Sequence, residues 1–253
     1  MPNVRRTGPL TLTSCLVLDR RLPTLSLEEN PPTAPLAAER PTLMAAAGKH
    51  AADKAIREVA AGRPVIVHGG HEQDGEADLV FAAALSTTAL MTSCVRLTSG
   101  FVGVALAAER CDQLRLPPQH WSQFAHGRPQ CVAVDVVGAG TGISAKDRSL
   151  TAQALADPCT TAEQLTRPGH VVPLRGGVGS DCVDAAVRLA LLAGQPGAAV
   201  VSRLVSEKDQ TTMAKGPEIS QIAFRYQLCT ITVAEILDCA DFAIPRRLAS
   251  TGT

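Results

Sequence analysis

Residues 57–81 read REVAAGRPVIVHGGHEQDGEADLVF. The first letters end a helical pattern at Gly62, where a residue without a Cβ readily closes a helix. Pro64 to Val67 then form a short apolar run of the kind that makes a buried strand. After Gly69 and Gly70 the chain turns polar. Five titratable side chains (His71, Glu72, Asp74, Glu76 and Asp78) crowd the connection before a second apolar run at Leu79–Phe81. Helix, strand, acidic loop and strand in direct succession announce an α/β protein. The loop itself has two readings: a source of hard oxygen ligands for Mg²⁺, or a solvated turn.

The same alternation extends in both directions. TLMAAAGKHAADKAIREVAAG, from Thr42, has apolar and small residues at helical spacing. Beyond the loop, DLVFAAALSTTALMTSCVRL predicts a strand followed by a helix, FVGVAL (101–106) a strand and AAERCDQL a helix. QCVAVDVVG (130–138) alternates as a strand does. TGISAKDRS (141–149) and RPGHVVPLRGGVGSD (167–181) read as loops, the first leading into the helix start TAQALAD. CVDAAVRLALLAG predicts an amphipathic helix ending at Gly194, AAVVSRLV a strand, PEISQIAFRYQL a helix, and CTITVAEILDCA a strand plus helix. Helices and strands alternate through one domain of α/β (α+β) class. Its expected limits are 43–242. Residues 1–42, with five prolines between Pro23 and Pro41, read as a disordered tail, and 243–253 as a C-terminal tail.

Composition narrows the function classes. Twenty-four basic residues balance twenty-four acidic ones, so no net field favours nucleic acid or an anionic membrane. Aromatic residues make up 3% of the chain, which weakens any base-stacking surface. No apolar run approaches the roughly 18 residues of a membrane span. Eight cysteines are scattered without a C-x-x-C pair, which excludes the usual structural zinc spacing and suits buried, reduced thiols of a cytoplasmic protein.

Three further stretches carry chemistry. In TGISAKDR, the side chains of Thr141, Ser144, Asp147 and Arg148 put hydroxyls, a carboxylate and a guanidinium in one short segment. Arg suits bidentate phosphate contact; the plainer reading is a helix start capped by Asp147 or Ser149. His170, in R-P-G-H, lies beside proline and glycine rather than on an apolar helix face, as an acid/base group would. RGGVGSD (175–181) offers backbone N–H groups to a phosphate at a helix start, but matches neither G-K-[ST] nor G-x-G-x-x-G.

Taken in order, ADKAIREVAAGRPVIV, the acidic loop, TSG (98–100), TGISAKDR, RPGHVVPLR, LAG (192–194), MAKGPE (213–218) and ITVAEIL resemble the 3,4-dihydroxy-2-butanone 4-phosphate synthase family of riboflavin biosynthesis over about residues 50–240. The resemblance implies a single-domain three-layer α/β/α sandwich and a homodimer with sites at the subunit interface. It implies a lyase that converts ribulose 5-phosphate, a sugar phosphate, to formate and a four-carbon ketone phosphate with Mg²⁺ (or Mn²⁺), the ion stabilising an ene-diolate. Carried over, His170 and Asp78 are catalytic, while Asp74, Asp78, Thr141, Asp147 and Arg148 bind substrate. Asp74 and Cys182 stand at the positions of metal ligands.

The departures fall on the chemistry. Gln73, Asp74 and Ala77 stand where the family pattern has Arg, Glu and Gly. Cys182, Val183 and Asp184 replace His, Thr and Glu after a short deletion, Gly103 replaces a Cys, and Arg203 replaces a catalytic Glu with reversed charge. A thiol is a poor ligand for a hard cation. Three readings follow: a synthase of reduced activity, a silent homologue that dimerises with or regulates a competent enzyme, or altered chemistry on a related sugar phosphate.

Overall fold

The computed structural model describes residues 40–70, 75–119, 128–177 and 181–239. Asp74 and the other residues of 71–74 lie outside these, as do 178–180 of the Gly-rich stretch and both expected tails apart from the start of the first helix.

The elements follow the expected alternation. Helix α1 (Arg40–Ala60) leads into β1 (Val65–His68) and β2 (Ala77–Ala82). Then come α2 (Thr88–Leu97), β3 (Gly103–Leu106), α3 (Ala108–Gln113), β4 (Val134–Val136) and α4 (Ala145–Ala156). The chain continues through β5 (Leu165–Arg175), α5 (Asp181–Leu192), β6 (Ala198–Arg203), α6 (Pro217–Tyr226), β7 (Cys229–Thr232) and α7 (Val233–Leu237). Gly62, at φ +73°, takes the left-handed conformation just past α1.

Seven strands make one mixed sheet in the order β4-β5-β3-β6-β2-β1-β7, with β3–β5 and β1–β7 parallel and the other neighbours antiparallel. Alternating side chains divide the strands between two apolar layers. Val65, Val67, Val80, Val172 and Val201 pack under Ala55 and Val59 of α1, Val183 and Ala186 of α5, and Ile236 of α7. Ile66, Leu79, Phe81, Val104 and Val200 face the other way, under Met91 of α2, Leu155 of α4 and Ile222 of α6. The architecture is the expected three-layer sandwich. Among the described residues no helix is long and apolar enough to cross a membrane.

Two local expectations are corrected. RPGHVVPLR is no loop: it is most of β5, an internal strand of eleven residues. Pro168, Gly169 and Pro173 mark loops in most sequences, yet the neighbouring β4 is three residues long and pairs with only part of β5. Few ladder donors are therefore required there. At Gly169 the backbone of β4 passes so close that a Cβ would overlap Val134, so this position requires glycine. The second correction concerns α4, which begins inside the polar stretch, at Ala145. Its cap is neither Asp147 nor Ser149 but Ser144, whose Oγ accepts the Asp147 N–H at 3.0 Å. Ser144→Ala is expected to lower stability by about 1 kcal/mol in urea unfolding.

Candidate functional site

Strand register sets where the polar groups gather. Val172, Gly103, Val201 and Val80 form one row across β5, β3, β6 and β2. Moving two residues along each strand, in its own direction, brings His170 on β5, Arg203 on β6 and Asp78 on β2 to the same end of the sheet. Period-two alternation puts them on the same face as that row. Asp78 and Arg203 are direct cross-strand partners. His170 lies two strands from Arg203 and three from Asp78, roughly 10 and 14 Å at about 4.8 Å per strand. One sheet edge therefore carries two polar groupings.

The first is an ion cluster. Asp78 is 1% exposed, and its two carboxylate oxygens are held by different guanidiniums: Arg203 Nε donates to Oδ1 at 3.1 Å, and Arg128 Nη2 donates to Oδ2. Arg203 also donates through Nη1 to Glu76 Oε2, while Lys215 Nζ lies 3.7 Å from Glu76 Oε1. Glu76 belongs to the acidic loop and pairs with Lys215 in an isolated bridge. Close by, His68 ends β1; burial pushes its imidazole below the ordinary histidine value, with Glu235 opposing.

The second is a histidine–carboxylate pair. Asp135 on β4 accepts the His170 backbone N–H through Oδ1 at 3.0 Å and meets His170 Nδ1 through Oδ2 at 2.7 Å. A carboxylate only accepts, so Nδ1 carries the hydrogen and Nε2 of the neutral ring offers its lone pair. The His170 side chain is 42% exposed against 11% for Asp135, so the imidazole is open while the carboxylate that holds it is covered. Gly142 of the TGIS segment covers the pair at φ +77°. A Cβ there would overlap Asp135 Oδ2 and stand 2.6 Å from His170 Nδ1. Gly142→Ala is expected to cost roughly 2–4 kcal/mol, from overpacking and left-handed strain together, measured by urea unfolding.

The stretch between the groupings is stitched together. Thr98 Oγ1 and Ser202 Oγ lie 2.7 Å apart, Ser202 Oγ donates to Phe101 O at 2.8 Å, and Ser99 N donates to Arg203 O at 2.8 Å. Arg148 Nη1 donates to Gly100 O at 3.0 Å, so this guanidinium braces the TSG turn against α4, and its buried Nε has no hydrogen-bond partner among the described residues. Thr141 is exposed beside Gly142. Asp147 is buried in the first turn of α4, facing Gly140.

Cys182 is placed differently. It is 3% exposed in the first turn of α5 and belongs to the apolar layer between that helix and the sheet. Asp184, two residues on, accepts the Gly177 N–H at 2.7 Å. Among the described residues no group of three His, Cys, Asp or Glu side chains could hold a metal ion. With Glu76 and Asp78 held by three protein cations and Cys182 in an apolar layer, the described donor set does not fit Mg²⁺, which takes oxygen ligands in near-octahedral geometry.

Sequence reading missed Asp135 and Arg128. Asp135 left one signal, a carboxylate inside the apolar alternation VAVDVV; Arg128 left none, because its partner is 50 residues away.

The family model described as 3,4-dihydroxy-2-butanone 4-phosphate synthase matches residues 53–239. A riboflavin biosynthesis protein RibBA of Mycobacteroides abscessus is 42% identical over 193 residues, covering 74% of this chain and 46% of the relative. Its counterpart in Rhodococcus jostii is 41% identical over 192 residues, 73% of this chain and 46% of the relative. The chain thus spans about half the length of these curated relatives. A crystal structure of 3,4-dihydroxy-2-butanone 4-phosphate synthase in complex with two magnesium ions superposes with TM-score 0.67 at 32% identity, over 73% of this chain and 93% of the other. RibBX, a two-domain synthase from A. baumannii, gives TM-score 0.69 at 28% identity, over 74% and 56%. Fold, motif order and sequence agree: the chain belongs to the 3,4-dihydroxy-2-butanone 4-phosphate synthase family.

Proposed function

We propose that this chain acts in riboflavin biosynthesis chemistry at the family's step, taking ribulose 5-phosphate as its ligand, with His170 moving protons on it and with slow release of formate. The observation that carries the reading is the His170–Asp135 pair. An accessible imidazole has its tautomer fixed by a buried carboxylate, on the same sheet edge as a cluster of cations suited to an anionic ligand. His170 Nε2 is placed to take a proton from a carbon or hydroxyl next to the ligand's carbonyl and to return it later. Asp135 is a positioning residue: it holds the ring and stabilises the imidazolium that forms. Asp78, carried over as catalytic, holds the cations in place rather than moving protons itself.

Slow turnover follows from the altered electrostatics. Losing one preorganised group commonly costs a factor of roughly 10²–10³ in kcat, and this site differs from the family pattern at several positions together. The described residues do not fit Mg²⁺, and the proton transfers fall to His170. A homodimer belongs to the same proposal: Phe101, Val137 and Ile143 are each about half exposed around the His170 region, an apolar rim that a second copy would cover.

The test is incubation of purified protein with ribulose 5-phosphate and Mg²⁺, with formate assayed and unfolding temperature followed. A ligand-dependent rise in Tm with formate formation at least about a hundredfold below that of an ordinary enzyme, whose kcat is roughly 10 s⁻¹, is expected. Formate at an ordinary rate, or no thermal shift, would overturn the reading. Binding without any formate would move the assignment to a silent homologue.

A further inference from the structure

Glu76 and Asp78 present four carboxylate oxygens at the end of β2, and each faces a cation of the protein. Asp78 Oδ1 meets Arg203 and Oδ2 meets Arg128; Glu76 Oε2 meets Arg203 and Oε1 faces Lys215. Arg203 is the hub. Cross-strand register with Asp78 fixes its position, and its side chain is 17% exposed. A divalent ion seeking these oxygens would have to displace a guanidinium from a pair in which Asp78 is almost wholly out of water, leaving that guanidinium without its counter-charge.

Arg128, Arg203 and Lys215 surround the two carboxylates of Glu76 and Asp78. Accessibility rises from Asp78 (1%) through Arg203 (17%) to Lys215 (46%), so the cationic side chains lie toward the open side of the cluster. A guanidinium there can stabilise an oxyanion by charge and by directed N–H donors. Unlike a metal it cannot gather several oxygens in an octahedral shell or acidify a bound water.

We propose that Arg203 is a built-in cation that takes the place of a divalent metal in this chain, so that the cluster excludes Mg²⁺ and Mn²⁺ and holds the carbonyl and hydroxyl oxygens of a pentulose phosphate, as they become anionic, without a metal. The ligand part of this inference rests on the ribulose 5-phosphate reading; the exclusion of metal does not. It also sets this chain apart from the structural neighbour that carries two magnesium ions.

Two measurements on the full chain test it. In a Mn²⁺ titration followed by electron paramagnetic resonance, wild-type protein is expected to leave the Mn²⁺ signal that of the free ion into the millimolar range. Arg203→Glu, which turns the hub into a carboxylate, is expected to bind Mn²⁺ saturably. Saturable Mn²⁺ binding by the wild type overturns the proposal, and so does a folded Arg203→Glu protein that binds none. Should Arg203→Glu not fold, the wild-type titration still decides the exclusion, and calorimetry with ribulose 5-phosphate in EDTA decides the role of Arg203. There, Arg203→Gln is expected to weaken binding about tenfold, or ~1.4 kcal/mol, while Arg203→Lys keeps part of the affinity. Unchanged affinity in Arg203→Gln overturns the ligand role. If wild-type protein binds no ribulose 5-phosphate, the functional reading fails, and the Mn²⁺ result still stands on its own.

Discussion

Asp78→Ala is expected to destabilise the protein by about 3–5 kcal/mol, because it strips the largely buried Arg128 of its counter-charge and leaves Arg203 with Glu76 alone. The side chains of Arg128 and Arg203 are 14% and 17% exposed, and Asp78 is 1% exposed, so water has little room to take over the carboxylate's part. A typical domain is stable by only about 5–15 kcal/mol, so the loss should be plain in urea unfolding as a lower midpoint at unchanged m-value. Asp78→Glu keeps the charge and should recover part of the loss. A cost for Asp78→Ala below about 1 kcal/mol would class the cluster with ordinary surface ion pairs and remove the reason for treating it as a fixed charge centre.

His170→Ala is expected to slow proton transfer on ribulose 5-phosphate by a factor of roughly 10²–10⁴, with little effect on binding, since the imidazole acts on the proton rather than holding the ligand. Incorporation of solvent deuterium at the carbon beside the carbonyl, followed by NMR, reads this step whether or not formate is released. Asp135→Asn should also slow exchange, and its signature differs. The amide can donate to Nδ1 and turn the ring, placing the hydrogen on Nε2, so the base is lost while the imidazole stays. Exchange unaffected by His170→Ala would remove His170 from the chemistry.

How far these sites could be read from the letters depended on the range of the interaction. Local signals carried well: Gly62 ends α1 in the left-handed conformation, the PVIV run gives β1, and helix-period patterns give α5 and α6. Competing local signals misled. Pro168, Gly169 and Pro173 outweighed the apolar Val171, Val172 and Leu174, so β5 read as a loop; the close passage of β4 that requires Gly169 is a tertiary fact. Capping was misplaced for a related reason, since Ser144, Asp147 and Ser149 are all good caps and only the observed helix start selects Ser144.

The charge centre was beyond local reading altogether. Glu76, Asp78 and Arg203 were each visible as letters, but Arg203 pairs with its carboxylates across 125 and 127 residues, and Arg128 with Asp78 across 50. What read as an isolated charge reversal on β6 becomes, once β2 and β6 are in register, the partner of the acidic residues at the start of β2. The same holds for Asp135, whose meaning depends on the β4–β5 pairing that sets it beside His170.

If Arg203 and its neighbouring cations hold the ligand in place of a metal, Mg²⁺ leaves the ligand affinity unchanged. The most direct measurement is a pair of calorimetric titrations of the wild-type chain with ribulose 5-phosphate, one in EDTA and one in saturating Mg²⁺. Equal dissociation constants in the two titrations are expected; tightening by Mg²⁺ of about tenfold or more, equivalent to ~1.4 kcal/mol, would mean that a metal takes part in holding the ligand.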